Sequence, residues 1–309
     1  MGERFAGRVA LITGGGRGLG REYALLLVSE GARVVVNDLG GDRHGSRTGS
    51  DVASGVVEEI RAAGGEAVAD GHDVVDDARD VVGAAVDAWG RVDLVVNNAG
   101  ISGGGEIDQI PVADYDRMID VHYRGTVAVC RAAWPLLREQ RYGRIVNTSS
   151  GSFMGLPSTS AYISAKAAVM GLTRALAHDG ARHDVKVNAV MPIAYTRLTR
   201  EIPSETFRSF LETRFAPATV APFVAALLTT EVPCTGETFS VGGGIAARVV
   251  LATVPGHVST AHSVDDYLAH FDEILSTDGL FVPAGSMDEI AFRSGQVGAN
   301  LDNPTFAPS

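Results

Sequence analysis

Cysteine is nearly absent: Cys130 and Cys234 are the two in 309 residues. That excludes a disulfide framework and points to a reducing compartment. Lysine is equally scarce, since Lys166 and Lys186 are the two among 26 cationic residues. No apolar run approaches the ~20 residues that span a bilayer. Met1-Gly2-Glu3-Arg4-Phe5-Ala6 lacks the apolar stretch of a secretory leader, and Ala6 stands where a myristoylation signal has Ser or Thr. Ala307-Pro308-Ser309 is neither a peroxisomal nor a retention signal. A soluble, cytoplasmic protein is the expectation. With 26 cations against 37 acids the net charge is −11, a poor match for nucleic acid or an anionic membrane, and neither partner is expected. There is no H-E-x-x-H, two distant cysteines make no zinc site, and no G-x-S-x-G elbow is present, so neither a metal site nor a serine hydrolase is expected. No Pro- or Ser-rich linker marks a domain boundary, although the length would allow two domains of roughly 150 residues.

What is present is an alternation. Short Val- and Ile-rich runs at 8–12, 33–37, 67–69, 92–96, 144–147 and 185–190 read as strands. Continuous rather than alternating apolar runs suit strands covered on both faces. Helix-length segments lie between them at 18–30, 51–63, 76–89, 114–138 and 158–179, with Asp76-Asp77 as a cap for the third. Strict alternation predicts right-handed crossovers and a doubly wound parallel sheet, with ligands beyond the carboxyl ends of the strands. Two stretches fall outside the rhythm: a polar loop at 39–50 and a tail at 245–309 with one amphipathic stretch at 264–275.

Thr13-Gly14-Gly15-Gly16-Arg17-Gly18-Leu19-Gly20 follows the first strand and opens the first helix. Glycines let the backbone approach a pyrophosphate, and the helix amino end offers free N–H groups. Asp38 ends the second strand, where a carboxylate accepts from ribose hydroxyls and repels a 2′-phosphate, favouring NAD over NADP. Arg17 argues the other way, less strongly. Asp73-Val74 follows the third strand and would face the adenine; Asn97-Asn98-Ala99-Gly100 follows the fourth, where small residues let a cofactor lie close.

Tyr162 and Lys166 are four apart on a predicted helix, one turn apart on one face. Placed at random, seven tyrosines and two lysines would form such a pair about 0.05 times in this chain. A phenol near pKa 10 is a poor proton shuttle at neutral pH, and a neighbouring ammonium lowers it; reaching about 7 takes roughly 4 kcal/mol of differential interaction. Ser149 and Ser150 end the fifth strand, and either hydroxyl could donate to a developing oxyanion.

Taken together, the T-G-x-x-x-G-x-G loop, N-N-A-G, a strand-end serine and Y-x-x-x-K resemble the short-chain dehydrogenase/reductase family over residues 6–245. The resemblance implies a single Rossmann-type domain at 1–245 containing the active site, with a seven-stranded parallel sheet ending at 237–241. Residues 246–309 would be a C-terminal extension on the same domain or on a partner subunit. It implies hydride transfer between NAD and a carbon bearing oxygen, with Tyr162 as general acid/base, Lys166 holding the nicotinamide ribose, and the serine orienting the substrate oxygen. Thr13, Gly14, Gly16, Arg17, Gly18, Leu19, Gly20, Asp38, Asp73, Val74, Asn98, Ala99, Gly100, Tyr162, Lys166, Pro192 and Thr196 would line the cofactor site, with Ile193 where glycine is usual.

Within the family, residues 35–45, 121–125, 131–135 and 142–146 and the tail are similar to the (3R)-hydroxyacyl-CoA dehydrogenase unit of peroxisomal multifunctional enzymes of type 2. That likeness implies an acyl-CoA thioester substrate and a homodimer or homotetramer joined through the helices at 114–138 and 158–179. Arg43, Arg47, Arg197 and Arg200 are candidate contacts for the CoA. His122 stands where the family has a fourth catalytic residue, Asn. The usual serine-to-tyrosine spacing of 13 selects Ser149; registry along the strand from Arg144 selects Ser150, which is preferred. Residues 154–161 differ from the acyl-CoA group, so a steroid or other bulky alcohol is an alternative substrate. A nicotinamide-binding scaffold or sensor without efficient catalysis is the alternative from another class.

Overall fold

The structure, a computed structural model, describes residues 2–48, 51–197, 199 and 204–299. Its contacts divide the chain into two compact units, Met1–Arg248 and Val249–Ser309.

In the first unit the strands are β1 (Val9–Thr13), β2 (Arg33–Asn37), β3 (Ala67–Asp70), β4 (Leu94–Asn97), β5 (Gly143–Thr148), β6 (Val185–Pro192), β7 (Thr238–Gly242) and β8 (Ile245–Val249). They form one sheet in the order β3-β2-β1-β4-β5-β6-β7-β8. Every pair from β3 through to β7 is parallel, with Val9 opposite Arg33 and Ala10 opposite Leu94 across β1. The crossovers are made by α1 (Gly18–Ser29), α2 (Val52–Ala62), α3 (Ala78–Trp89), α4 (Val112–Ile119) with α5 (Gly125–Gln140), and α6 (Ser160–Gly180).

The pleat explains the two cores. Ala10, Ile12, Val34, Val36, Leu94 and Val96 point to one face and pack with side chains of α1 and α2. Val9, Leu11, Val35, Val95 and Ile145 point to the other and pack with α3 and α5. Both faces are covered, so β1 and β4 are buried at every residue. Each fully buried Val, Leu or Ile is worth about 1.5–3 kcal/mol relative to exposure. Strand order reverses between β1 and β4, which opens a crevice at their carboxyl ends.

The structure corrects several expectations. The sheet has eight strands, not seven. Gly243 and Gly244 take φ of 58° and 81°, as a two-residue hairpin turn requires, and fold β8 back beside β7. A connection that short makes β8 antiparallel. The helix expected at 114–138 is α4 and α5 joined by a π-helical turn, Asp120–Arg124. α6 begins at Ser160, because Ser158 has φ of 58° and cannot continue a right-handed helix. Asp77 sits at the N-cap position of α3 without capping it; its carboxylate accepts from the Asp73 N–H at 3.2 Å instead. Two helices were not anticipated: α7 (Glu205–Arg214), capped by the Ser204 hydroxyl, and α8 (Ala221–Leu227).

In the second unit the amphipathic stretch is broken at His270 into α9 (Val264–Ala269) and α10 (Phe271–Leu275). A further helix, α11 (Ser286–Gln296), follows. Thr253 and Phe281 form an antiparallel bridge, Phe281 stacks on Phe292 at 4.5 Å, and Arg293 bonds the carbonyls of Val254 and Pro255 at 2.8 and 3.0 Å.

Candidate active site

The glycine loop leaves β1 at Thr13. The Thr13 hydroxyl accepts from the N–H groups of Asn98 and Ala99 at 3.0 and 3.1 Å, and the Asn98 amide donates to the carbonyls of Thr13 and Gly14 at 3.0 Å each. These bonds lock the end of β1 to the end of β4. A Cβ on Gly20 would lie 2.2 Å from the Gly14 carbonyl, and one on Gly14, with φ of 62°, would lie 2.9 Å from the Ala99 backbone. The loop therefore has no room for side chains at Gly14 and Gly20, a shape that fits a pyrophosphate at the start of α1.

Asp38 holds two loops. Its Oδ2 accepts from the Gly16 N–H at 3.0 Å and its Oδ1 from the Gly40 N–H at 2.9 Å. Residues 39–48 then fold across the crevice. Gly41 bridges to Arg47, the Ser102 N–H donates to the Arg43 carbonyl at 2.7 Å, and Arg197 donates to the Gly41 carbonyl at 3.1 Å. Arg117, on α4, reaches the Gly45 carbonyl and the Asp73 carboxylate at 3.4 Å each. The cleft beneath has a volume of about 190 Å³. Of the residues expected at the cofactor, Gly14, Arg17, Gly18, Leu19, Asp38, Asp73, Val74, Asn98, Ala99, Gly100 and Thr196 line it. Thr13, Gly16 and Gly20 shape its wall from behind, and Pro192 ends β6. Arg117 was missed, since nothing in the spacing of a lone helix arginine ties it to Asp73. Of the candidate CoA contacts, Arg197 lines the cleft, the Arg43 guanidinium meets the exposed His44, Arg47 is exposed, and Arg200 lies outside the described residues.

Ser150, Tyr162 and Lys166 come together at the ends of β5 and α6. The Ser150 hydroxyl donates to Ser152 Oγ and accepts from the Ser152 N–H at 3.2 Å each; it lies near enough to the Tyr162 phenol to lower its pKa, and the Lys166 ammonium lies 5.9 Å from the Tyr162 ring centre. Ser149 faces away: its hydroxyl donates to the Lys166 carbonyl at 2.9 Å and it is 1% exposed. Lys166 is buried and donates to the Thr148 carbonyl at 2.5 Å. Burial lowers its pKa to about 7. Burial raises the Tyr162 phenol above its ordinary value, opposed by the nearby Ser150 hydroxyl. Desolvation thus sets the direction, contrary to the expectation that the ammonium alone would acidify the phenol.

His122 sits between this trio and the cleft. The π-helical turn presents its ring edge-on to Tyr162, with centroids 5.0 Å apart. Nε2 lies 2.8 Å from the Ile101 carbonyl, Nδ1 has no partner, and a Cβ on Gly100 would meet the ring at 2.8 Å. Burial, and next the Lys166 charge, hold it well below the usual histidine range, so it is neutral. Single-turn π-bulges in helices are frequent at functional sites.

The short chain dehydrogenase family model matches residues 8–206. The chain belongs to that family. As a short-chain dehydrogenase it is an oxidoreductase, and the family binds a nicotinamide cofactor. It is 43% identical over 278 residues to a putative short-chain type dehydrogenase/reductase of Mycobacterium tuberculosis, covering 88% of this chain and 95% of that one. It is 40% identical over 264 residues to the peroxisomal multifunctional enzyme type 2 of Drosophila melanogaster, covering 85% of this chain but 43% of the enzyme. The short-chain dehydrogenase thus spans less than half of that multifunctional relative. The solved structure of the full-length Drosophila enzyme superimposes with a TM-score of 0.76 at 30% identity, covering 95% of this chain and 49% of that one. A short chain dehydrogenase of Mycobacterium avium superimposes at 0.75 with 36% identity, covering 89% and 98%. No helix among the described residues is long and apolar enough to cross a membrane.

Proposed function

We propose that the chain is an NAD-dependent dehydrogenase that interconverts a secondary alcohol and a ketone, with a 3-hydroxyacyl-CoA as substrate. The nearness of Ser150 and of the Lys166 ammonium to the Tyr162 phenol, with Lys166 one helical turn on, carries the reading. NAD, when bound, supplies the hydride acceptor. Tyr162, as phenolate, would take the proton of the substrate hydroxyl in the direction that forms the ketone, and as phenol would return it in the reverse direction. Ser150 donates to the same oxygen and holds it against the phenol. Lys166 holds the nicotinamide ribose, and its ammonium form stabilises the phenolate. His122, being uncharged, fixes Ile101 and the Tyr162 ring without a competing charge.

The cleft fits the cofactor because its floor excludes side chains at Gly14 and Gly20. NAD rather than NADP is favoured by Asp38: each oxygen keeps a lone pair for a ribose hydroxyl, and a 2′-phosphate there would meet a carboxylate. The acyl-CoA substrate rests on the likeness of residues 35–45, 121–125, 131–135 and 142–146 to the hydroxyacyl-CoA dehydrogenase group. The test is the change in NADH absorbance with hydroxyacyl-CoA thioesters, steroids and simple alcohols, each with NAD and with NADP. Turnover of the thioesters with NAD is expected, and Tyr162→Phe is expected to abolish it while NAD still binds. A flat response to every substrate with tight NAD binding would favour a sensor instead.

A further inference from the structure

We propose that the C-terminal unit binds a divalent transition-metal ion of the zinc class through His257, His270 and Glu273. No metal motif marks these residues in the sequence; the break between α9 and α10 gathers them. One ligand atom from each lies within 4.8 Å of the others.

A single residue orients both imidazoles. His270 Nδ1 lies 2.7 Å from the main-chain carbonyl of Asp266, and a carbonyl only accepts, so Nδ1 carries the proton and Nε2 the lone pair. His257 Nε2 lies 2.9 Å from Asp266 Oδ2, so it donates and Nδ1 carries the lone pair. The Asp266 main chain is itself held, its N–H donating to the Ser263 hydroxyl at 3.2 Å. A carboxylate or carbonyl behind each imidazole, fixing its tautomer, is the outer-sphere arrangement of metal-bound histidines.

His257 Nδ1 faces Glu273 Oε2 at 3.3 Å. The spacing suits the ion: half of 3.3 Å over a bond of ~2.05 Å gives a ligand–metal–ligand angle of roughly 107°, close to tetrahedral. Two imidazoles and one carboxylate suit zinc, cobalt and their neighbours rather than calcium or magnesium, and leave a fourth position for water. The two rings are stacked, 3.9 Å apart and within 5° of parallel. One ion cannot lie in both ring planes, so binding tilts the His270 ring out of parallel about its Nδ1 bond to the Asp266 carbonyl. That side chain is 36% exposed, against 13% for His257, and is the freer of the two.

The test uses the full chain, freed of metal with a chelator and titrated with Zn²⁺ by calorimetry and with Co²⁺ by visible absorption. One equivalent per chain is expected, with Co²⁺ bands of a tetrahedral site. Glu273→Gln and His270→Gln should each loosen Zn²⁺ at least about tenfold and weaken those bands, while Cys234→Ser changes neither. Glu273 is largely exposed, so its variant is expected to keep the fold, which the melting curve checks. Absence of stoichiometric binding, or affinity unchanged in both variants, would overturn the proposal. So would loss of binding in Cys234→Ser, which would place the ion at a thiol.

Discussion

Ser149 and Ser150 are neighbours on one extended segment, so their side chains leave it on opposite sides. Ser149 turns inward to the Lys166 carbonyl and Ser150 to the other side, near enough to the Tyr162 phenol to lower its pKa. Ser150→Ala is therefore expected to lower kcat by about 10²–10³, the usual loss of one donor to a developing oxyanion. Ser149→Ala is expected to cost about 1 kcal/mol of stability and leave turnover per folded molecule nearly intact. Steady-state kinetics beside a urea melt separate the two, and the reverse pattern would move the catalytic hydroxyl. Lys166 has a thermodynamic signature as well. Its pKa is about 10.5 unfolded and about 7 in the fold. Between those values the unfolded chain binds more protons, so stability rises with pH, by at most about 1.4 kcal/mol per pH unit. Lys166→Met should flatten that slope between pH 7 and 9 and abolish activity. An unchanged slope would show that the ammonium is not desolvated.

At the scale of elements, the glycine loop tolerates no added atom at Gly20. Gly20→Ala would press a methyl against the Gly14 carbonyl. Overpacking of this kind costs about 1–3 kcal/mol. The NAD dissociation constant is expected to rise at least tenfold in equilibrium titration, with a lower melting temperature. Much of this architecture is legible in the sequence for a physical reason. Strands buried on both faces read as continuous apolar runs, so β1, β2, β4, β5 and β6 stand out. The pairing of Tyr162 with Lys166 follows from helical spacing alone. β8 is not legible, because its residues are exposed and its pairing depends on a turn at Gly243 and Gly244. The π-helical turn under His122 is equally hidden, since it inserts one residue into a helix without disturbing composition. For Ser149 and Ser150 the chain gives two conflicting counts, the spacing of 13 to Tyr162 for Ser149 and the strand registry from Arg144 for the preferred Ser150, because loop length between β5 and α6 is not fixed by the sequence.

For the molecule as a whole, the resemblance to hydroxyacyl-CoA dehydrogenases leads us to expect a homodimer or homotetramer built on α4–α5 and α6. Light scattering on the eluting protein should give two or four times 32.3 kDa; a monomer at working concentration would contradict it. Asp38 ties the local chemistry to this larger frame. The two oxygens that would receive a ribose also fasten the glycine loop and the 39–48 segment to the end of β2. On the proposed preference for NAD, re-engineering the enzyme for the phosphorylated coenzyme is thus not a matter of deleting one negative charge. Removing that side chain unfastens the floor and the roof of the crevice together, and a redesigned variant would have to supply both anchors anew before any preference could be inverted.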